Sequence, residues 1–261
     1  MKISTLKESS KTKSALILIF WLLVWQIVYT IIGKDVIVPS PADTFVTLSQ
    51  LLMTQGFYQD VAATMSRVIA GIIISFAAGL GTAIAAHLLF IVKDIMGFAV
   101  NILKSTPVMA VIIFALLWLP SGNVPIFVCF LMCYPIVYTN ILTGVESLSK
   151  DYIEMSQIYR IRKRDLVRSI YIPFVAPHIK SALSLTTGLS WKTVVAAEVL
   201  ASPTFSMGYN LLNAKVYLDT ESLFAWIIAI VALSMAFEKI VNWILHKGKK
   251  GAYNDRSKAF I

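Results

Sequence analysis

Residues 146–173 read ESLSKDYIEMSQIYRIRKRDLVRSIYIP, and the setting of this stretch decides the fold. Six basic residues (Lys150, Arg160, Arg162, Lys163, Arg164, Arg168) and four acids (Glu146, Asp151, Glu154, Asp165) crowd into it. Long apolar runs flank it on both sides. Charged side chains are costly in hydrocarbon, so the stretch must lie outside any bilayer that its neighbours cross. At about 1.5 Å of rise per residue it suits one or two short helices along a membrane surface.

The whole chain agrees with that reading. Its 261 residues are 57% apolar and 14% charged, with a mean hydropathy of +0.75. A soluble domain carries about 25% charged residues. The expected class is therefore an all-α polytopic membrane protein. The net charge of +9 does not point to nucleic acid. The charges gather at the ends of apolar runs, where membrane topology puts them. Cys129 and Cys133 sit four residues apart inside an apolar run. With no His or acid nearby to complete a ligand set, they read as buried small hydrophobes, not as a metal or disulfide pair.

Outward from the charged stretch, six spans are expected, at about 15–32, 61–90, 96–119, 124–144, 173–201 and 223–245. The transmembrane domain covers 15–245. Residues 1–14 form a cytoplasmic N-terminus and 246–261 a cytoplasmic basic tail. The first run is long for a signal peptide, and no small-x-small cleavage site follows it. In VPSPADTF, Ser40 is an expected N-cap with Pro41 in the first turn. Residues 44–53 then form an interfacial amphipathic helix. Gly71, Gly79 and Gly81 allow close helix approach. Lys93 and Asp94 mark an inner turn, Pro107 interrupts the third span, and 202–222 is an outer loop. Of the 23 Lys and Arg residues, seventeen fall on one set of segments and only Lys34 and Lys215 on the other. That bias puts both termini in the cytoplasm.

The charged stretch also carries a pattern. Glu154-Met155-Ser156, Arg160 and Ile170-Tyr171-Ile172-Pro173 resemble the E-A-A, glycine and I-x-L-P frame (the EAA motif) of bacterial ABC importer permeases. Arg160 stands where the glycine belongs. Glycine allows a positive φ that arginine does not readily adopt, so the bend falls either there or elsewhere in the loop. Residues 35–245 are similar to the nitrate, sulfonate, taurine and thiamine-precursor branch through VPSPADTF, MSRVIAG, KSTPVMAVIIFALLWLP, YPIVYTNILTGVESL and GLSWKTVVAAEVLAS. The resemblance implies a type I ABC importer permease fold with a cytoplasmic coupling helix, in the bacterial cytoplasmic (inner) membrane. It implies ABC ATPase subunits, a second permease subunit (the same or a similar chain) and an external solute-binding protein as partners. ATP and Mg would belong to the ATPase, with no cofactor or metal on this chain. The coupling residues would be Glu154, Met155, Ser156, Tyr159, Arg160, Arg162 and Pro173.

The residues themselves support an external motor. Gly188-Leu-Ser-Trp-Lys192-Thr193 lacks the frame of a phosphate-binding loop and lies in an apolar span. No catalytic set of a known membrane enzyme is present. The chain therefore reads as a transport subunit without catalysis of its own; the alternative is an ATP-independent secondary transporter or channel. Glu198 is the most informative intramembrane residue. It either lines a cavity between two permease subunits or bonds to the outer loop. Lys192 lies about 240° away around the helix, too far for a pair. Trp191, Thr187 and Thr106 are further candidates for the translocation path, with Thr193 beside them.

Overall fold

In hydrocarbon every backbone N–H and C=O must find a partner within the protein, and a helix supplies it locally. The apolar runs fold accordingly. The computed structural model describes residues 8–258. Residues 1–7 of the expected N-terminal segment and 259–261 of the expected tail lie outside the described residues. Among those described, the regular structure is helical, without a strand. The helices are α1 (Glu8–Ile32), α2 (Pro41–Leu52), α3 (Gln55–Leu88), α4 (Phe90–Ser105), α5 (Val108–Trp118), α6 (Val124–Glu146), α7 (Lys150–Ile158), α8 (Lys163–Leu166), α9 (Ile172–Ala201), α10 (Met207–Val216) and α11 (Thr220–Lys258). A π-helical turn, Val167–Tyr171, joins α8 to α9.

Four helices among the described residues are long and apolar enough to cross a membrane: Ala15–Ile32 of α1, all of α3 and α6, and Thr220–Leu245 of α11. α4 and α5 reach that standard only as a pair, bent by 105°. The interruption expected at Pro107 in the third span is present, as a sharp bend between two helices. Thr106 is extended (φ −82°, ψ 126°) and ends α4, because Pro107 disfavours the α conformation in the residue before it. The inner turn moves. The break falls at Leu89 (φ −128°, ψ 110°), so Lys93 and Asp94 belong to α4. The fifth expected span is α9, thirty residues long. It is not among the four apolar helices, for it buries Thr186, Thr187, Ser190, Thr193 and Glu198. The expected outer loop 202–222 contains a helix, α10.

The chain forms two compact units. One comprises residues up to 59 together with 210–231. Here Ser40 caps α2 as its sequence predicts. Its Oγ accepts from the Asp43 N–H at 3.0 Å and donates to the Asp43 carboxylate at 2.5 Å. Trp25 donates to the Pro39 carbonyl at 3.1 Å and stacks on Phe224. Phe57 stacks on Trp226.

The other unit comprises residues 60–209 and 232 onward. Its axis is the long pairing of α6 with α9. Tyr134, Val137, Tyr138 and Ile141 of α6 pack with Ala83 and Ala86 of α3, Val100 of α4 and Val175 of α9. Ile112 and Ala115 of α5 pack against Val124, Val128 and Ala197. Gly71 and Gly79 permit this closeness. A Cβ at Gly71 would lie 2.5 Å from the Cys129 Sγ, and one at Gly79 would lie 2.6 Å from Val137. Gly81 differs from the expectation, with nothing within 4 Å of an added Cβ. Cys129 and Cys133 are free and fully buried.

Candidate coupling segment and membrane-embedded cluster

The stretch 146–173 folds as two short helices and a wide turn. Ser149 is extended (φ −65°, ψ 148°) and opens α7. Asp151 sits in the first turn, where the helix dipole favours an acid. Glu154 and Met155 follow at helical spacing, then Ile158 and Tyr159, giving one exposed stripe. Ile158 is 78% exposed and Tyr159 74%, so the apolar tip of the helix faces outward. The other side is anchored. Ser156 is buried, and the Tyr152 ring packs edge-on against Phe174 of α9 at 5.4 Å.

The helix ends in a Schellman motif. The Ile161 N–H donates to the Ser156 carbonyl at 2.9 Å, and the Arg160 N–H to that of Gln157 at 3.1 Å. Arg160 occupies the left-handed position at φ +48°. Of the two alternatives left open above, the bend therefore falls at Arg160 itself. A glycine there would meet the same geometry with no Cβ penalty.

Arg162 is extended (φ −61°, ψ 141°) and precedes α8. The π-helical turn follows, closed by the Ile172 N–H on the Val167 carbonyl. Pro173 explains its place. A proline inside a helix lacks the N–H and presses its ring on the carbonyl four residues back. A wider turn relieves that contact. Pro173 is half-buried in the first turn of α9. The segment is tied on its other side by Lys93, whose Nζ lies 2.6 Å from the Glu146 carboxylate.

A second cluster lies toward the end of α9. Glu198 is fully buried. Its Oε1 accepts from the Arg67 guanidinium at 2.7 Å. Its Oε2 accepts from the Thr64 hydroxyl at 3.0 Å and from the Gly208 N–H at 3.2 Å. Arg67 also donates to the carbonyls of Phe205 and Thr204, at 3.0 and 3.2 Å. The Met207 N–H donates to the Thr64 Oγ1 at 3.1 Å. The bond to the outer loop expected as one reading of Glu198 is present, through the Gly208 N–H. The turn it holds is unusual, with Ser202 at φ +48° and Phe205 at φ +51°. A bulky residue in that region is strained by about 1–3 kcal/mol. Gly208 is required by close packing, since a Cβ there would lie 2.8 Å from the Val195 carbonyl.

Sequence reasoning singled out Glu198 but did not pair it with Arg67, and missed Thr64 and Gly208. A lone Arg and a lone Glu in two apolar runs were the available signal.

The other path candidates scatter. Trp191 is buried against Phe237, its indole N–H without a protein acceptor. Thr187 is buried and donates to the Leu183 carbonyl at 2.6 Å. It borders a small apolar cavity of about 190 Å³ with Ile72, Leu183 and Phe237. Thr106 lies apart from these, at the α4–α5 bend, and donates to the Ile102 carbonyl.

The family described as "Binding-protein-dependent transport system inner membrane component" matches residues 77–247. The taurine transport system permease protein TauC of Escherichia coli is 25% identical over 224 residues, covering 83% of this chain and 81% of its own. The nitrate import permease protein NrtB of Synechococcus elongatus is 23% identical over 239 residues, covering 86% and 85%. Among solved structures, an amino acid ABC transporter superposes with a TM-score of 0.60 at 13% identity, covering 77% of this chain and 97% of the other. The MetNI methionine ABC transporter in an inward-facing conformation gives 0.58 at 15%, covering 75% and 97%. These two share the fold described above. The match spans α4 to α9 whole, including the Schellman-capped segment, and the chain belongs to the family of binding-protein-dependent transport system inner membrane components.

Proposed function

We propose that this multi-pass chain is the permease subunit of an ATP-driven importer, passing into the cytoplasm a small solute delivered by an external binding protein. An ABC ATPase, which binds the ATP and Mg, docks on 146–173, and its closure is transmitted through α7 and the π-helical turn into α9. A second permease, the same or a similar chain, completes the passage. Both termini lie on the ATPase side, as the Lys and Arg bias requires. The taurine and nitrate permeases among its relatives make nitrate and small sulfonates, taurine included, the first solutes to try.

The observation that carries this reading is the tip of α7. A nine-residue helix, fixed at its far side by Tyr152 on Phe174, holds Ile158 and Tyr159 almost free of contact. Exposed apolar anchors on a rigid support are what an interface uses. Transmission as rigid-body motion follows from the direct continuation of the segment into α9.

The test reconstitutes the chain with its ATPase in vesicles and follows ATP hydrolysis and uptake. Ile158→Asp with Tyr159→Ala should weaken ATPase binding at least ten-fold, the scale of interface hot spots. Deleting residues 152–164 should abolish it. ATPase binding that survives the deletion, or uptake that proceeds without ATP, would overturn the assignment in favour of a secondary transporter or channel.

A further inference from the structure

Beside the coupling helix lies a groove that the docking tip does not use. It has a volume of about 590 Å³ and is lined by Lys163, Arg164, Val167, Arg168 and Ile172. These positions follow the helical spacing i, i+1, i+4, i+5 and i+9, so α8 and the π-helical turn bring them to one face. The wide turn matters here. The five-residue step from Val167 to Ile172 keeps Ile172 in line with the others.

The chemistry of the lining is two-sided. Lys163, Arg164 and Arg168 are exposed, and among the described residues they form no ion pair. Asp165, the acid of α8, is not part of the lining. Between the cations the floor is apolar: Val167 is 49% exposed and Ile172 57%. Ile172 is also the first residue of α9. The groove thus stands where a helix of the membrane-embedded fold meets the charged surface segment. Three uncompensated cations over an apolar floor, at the level of the bilayer surface, match a headgroup phosphate with its attached chains. A free phosphate would use the cations but leave Val167 and Ile172 idle.

We propose that this groove binds an anionic phospholipid of the leaflet on the side of 146–173. The phosphate pairs with Arg164 and Arg168, bidentately where the guanidinium fork allows. Lys163 adds a third charge, and the upper acyl chain covers Val167 and Ile172. Because the groove includes Ile172, the first residue of α9, the bound lipid fixes the angle at which the segment leaves the membrane. This inference needs only that the chain sits in a bilayer, and it holds whether or not an ATPase docks on α7.

The experiment places the full chain in phosphatidylcholine nanodiscs with a trace of spin-labelled phosphatidylglycerol or spin-labelled phosphatidylcholine. The motionally restricted fraction of each label gives the preference. The expected result is selection of phosphatidylglycerol, reduced about five-fold for each cation replaced by Gln at 164 or 168. Arg164→Lys with Arg168→Lys keeps the charge and should keep most of the preference, which separates charge loss from misfolding. Lys34→Gln should leave it unchanged. The preference should also fall with added salt. Equal restriction of the two labels would overturn the proposal, as would a preference unaffected by Arg164→Gln/Arg168→Gln. Displacement of the labelled lipid by millimolar inorganic phosphate would instead make the groove a site for a free anion and equally overturn it. So would a loss of ATPase binding in pure phosphatidylcholine that the same double variant causes while lipid preference stays intact.

Discussion

Arg160 shows how far a residue type can be forced by its frame. The Schellman cap needs a left-handed residue after Tyr159, and Arg160 adopts φ +48° to provide it. An L-residue with a Cβ pays for that conformation, and glycine does not. Arg160→Gly should therefore stabilise the cap by about 0.5–1 kcal/mol. Hydrogen exchange should report it as slower exchange of the amides at 160 and 161, about two- to five-fold. No change, or faster exchange, would mean that the arginine side chain contributes more than its backbone costs. The spacing from Glu154 to Pro173 marked 160 as the motif's glycine position but left open whether the loop bends there. The φ of Arg160 was not legible, since nothing local to an arginine announces a positive value. Cys129 and Cys133 were the reverse case: their burial was plain from the apolar run around them, and both are fully buried.

Among the elements, the helices that were easiest to place are those whose sequence is uniformly apolar. α3, α6 and the Thr220–Leu245 part of α11 follow this rule, and α2 follows from its Ser-Pro start. α9 was placed by its prolines and its distance from the charged stretch, although its composition is more polar. The bend between α4 and α5 was legible as a break at Pro107 but not as a turn of 105°. Proline states where a helix stops, while the angle depends on how α5 packs across α6 and α9. α10 went unseen because a ten-residue helix of mixed composition has no strong periodicity. The glycines of α3 turn on the same distinction between pattern and packing. Gly79→Ala puts a methyl group against Val137 of α6 and should cost about 1–3 kcal/mol by overpacking. Gly81→Ala meets open space and should be neutral or gain about 0.5–1 kcal/mol from helix propensity. Reversible unfolding in mixed micelles would separate the two; equal effects would mean that α3 and α6 are not packed as described.

At the scale of the molecule, the embedded cluster and the coupling segment are built on opposite principles. Residues 146–173 display an apolar tip and are tied back by the rings of Tyr152 on Phe174 and Tyr171 on His87 and by a half-exposed ion pair. Thr64, Glu198, Met207 and Gly208 are buried and Arg67 is partly so, and residues 64, 67, 198, 207 and 208 satisfy one another. The cluster's hydrogen bonds join residues up to 143 positions apart in sequence, which is why the sequence did not assemble it. Burying a pair of charges need not add net stability, but removing one partner leaves the other uncompensated. Glu198→Ala should therefore destabilise by about 3–5 kcal/mol, and Arg67→Ala by a similar amount. The double variant should cost clearly less than the sum, since neither charge is then left alone. Glu198→Gln keeps the bonds from Thr64 and Gly208 in place and should fall between. The same variants decide between the two roles open to Glu198. If its task is to hold the turn at 202–208, uptake should fall in step with stability across the set. If it also meets the solute, Glu198→Gln should lose uptake while unfolding like a mildly weakened protein.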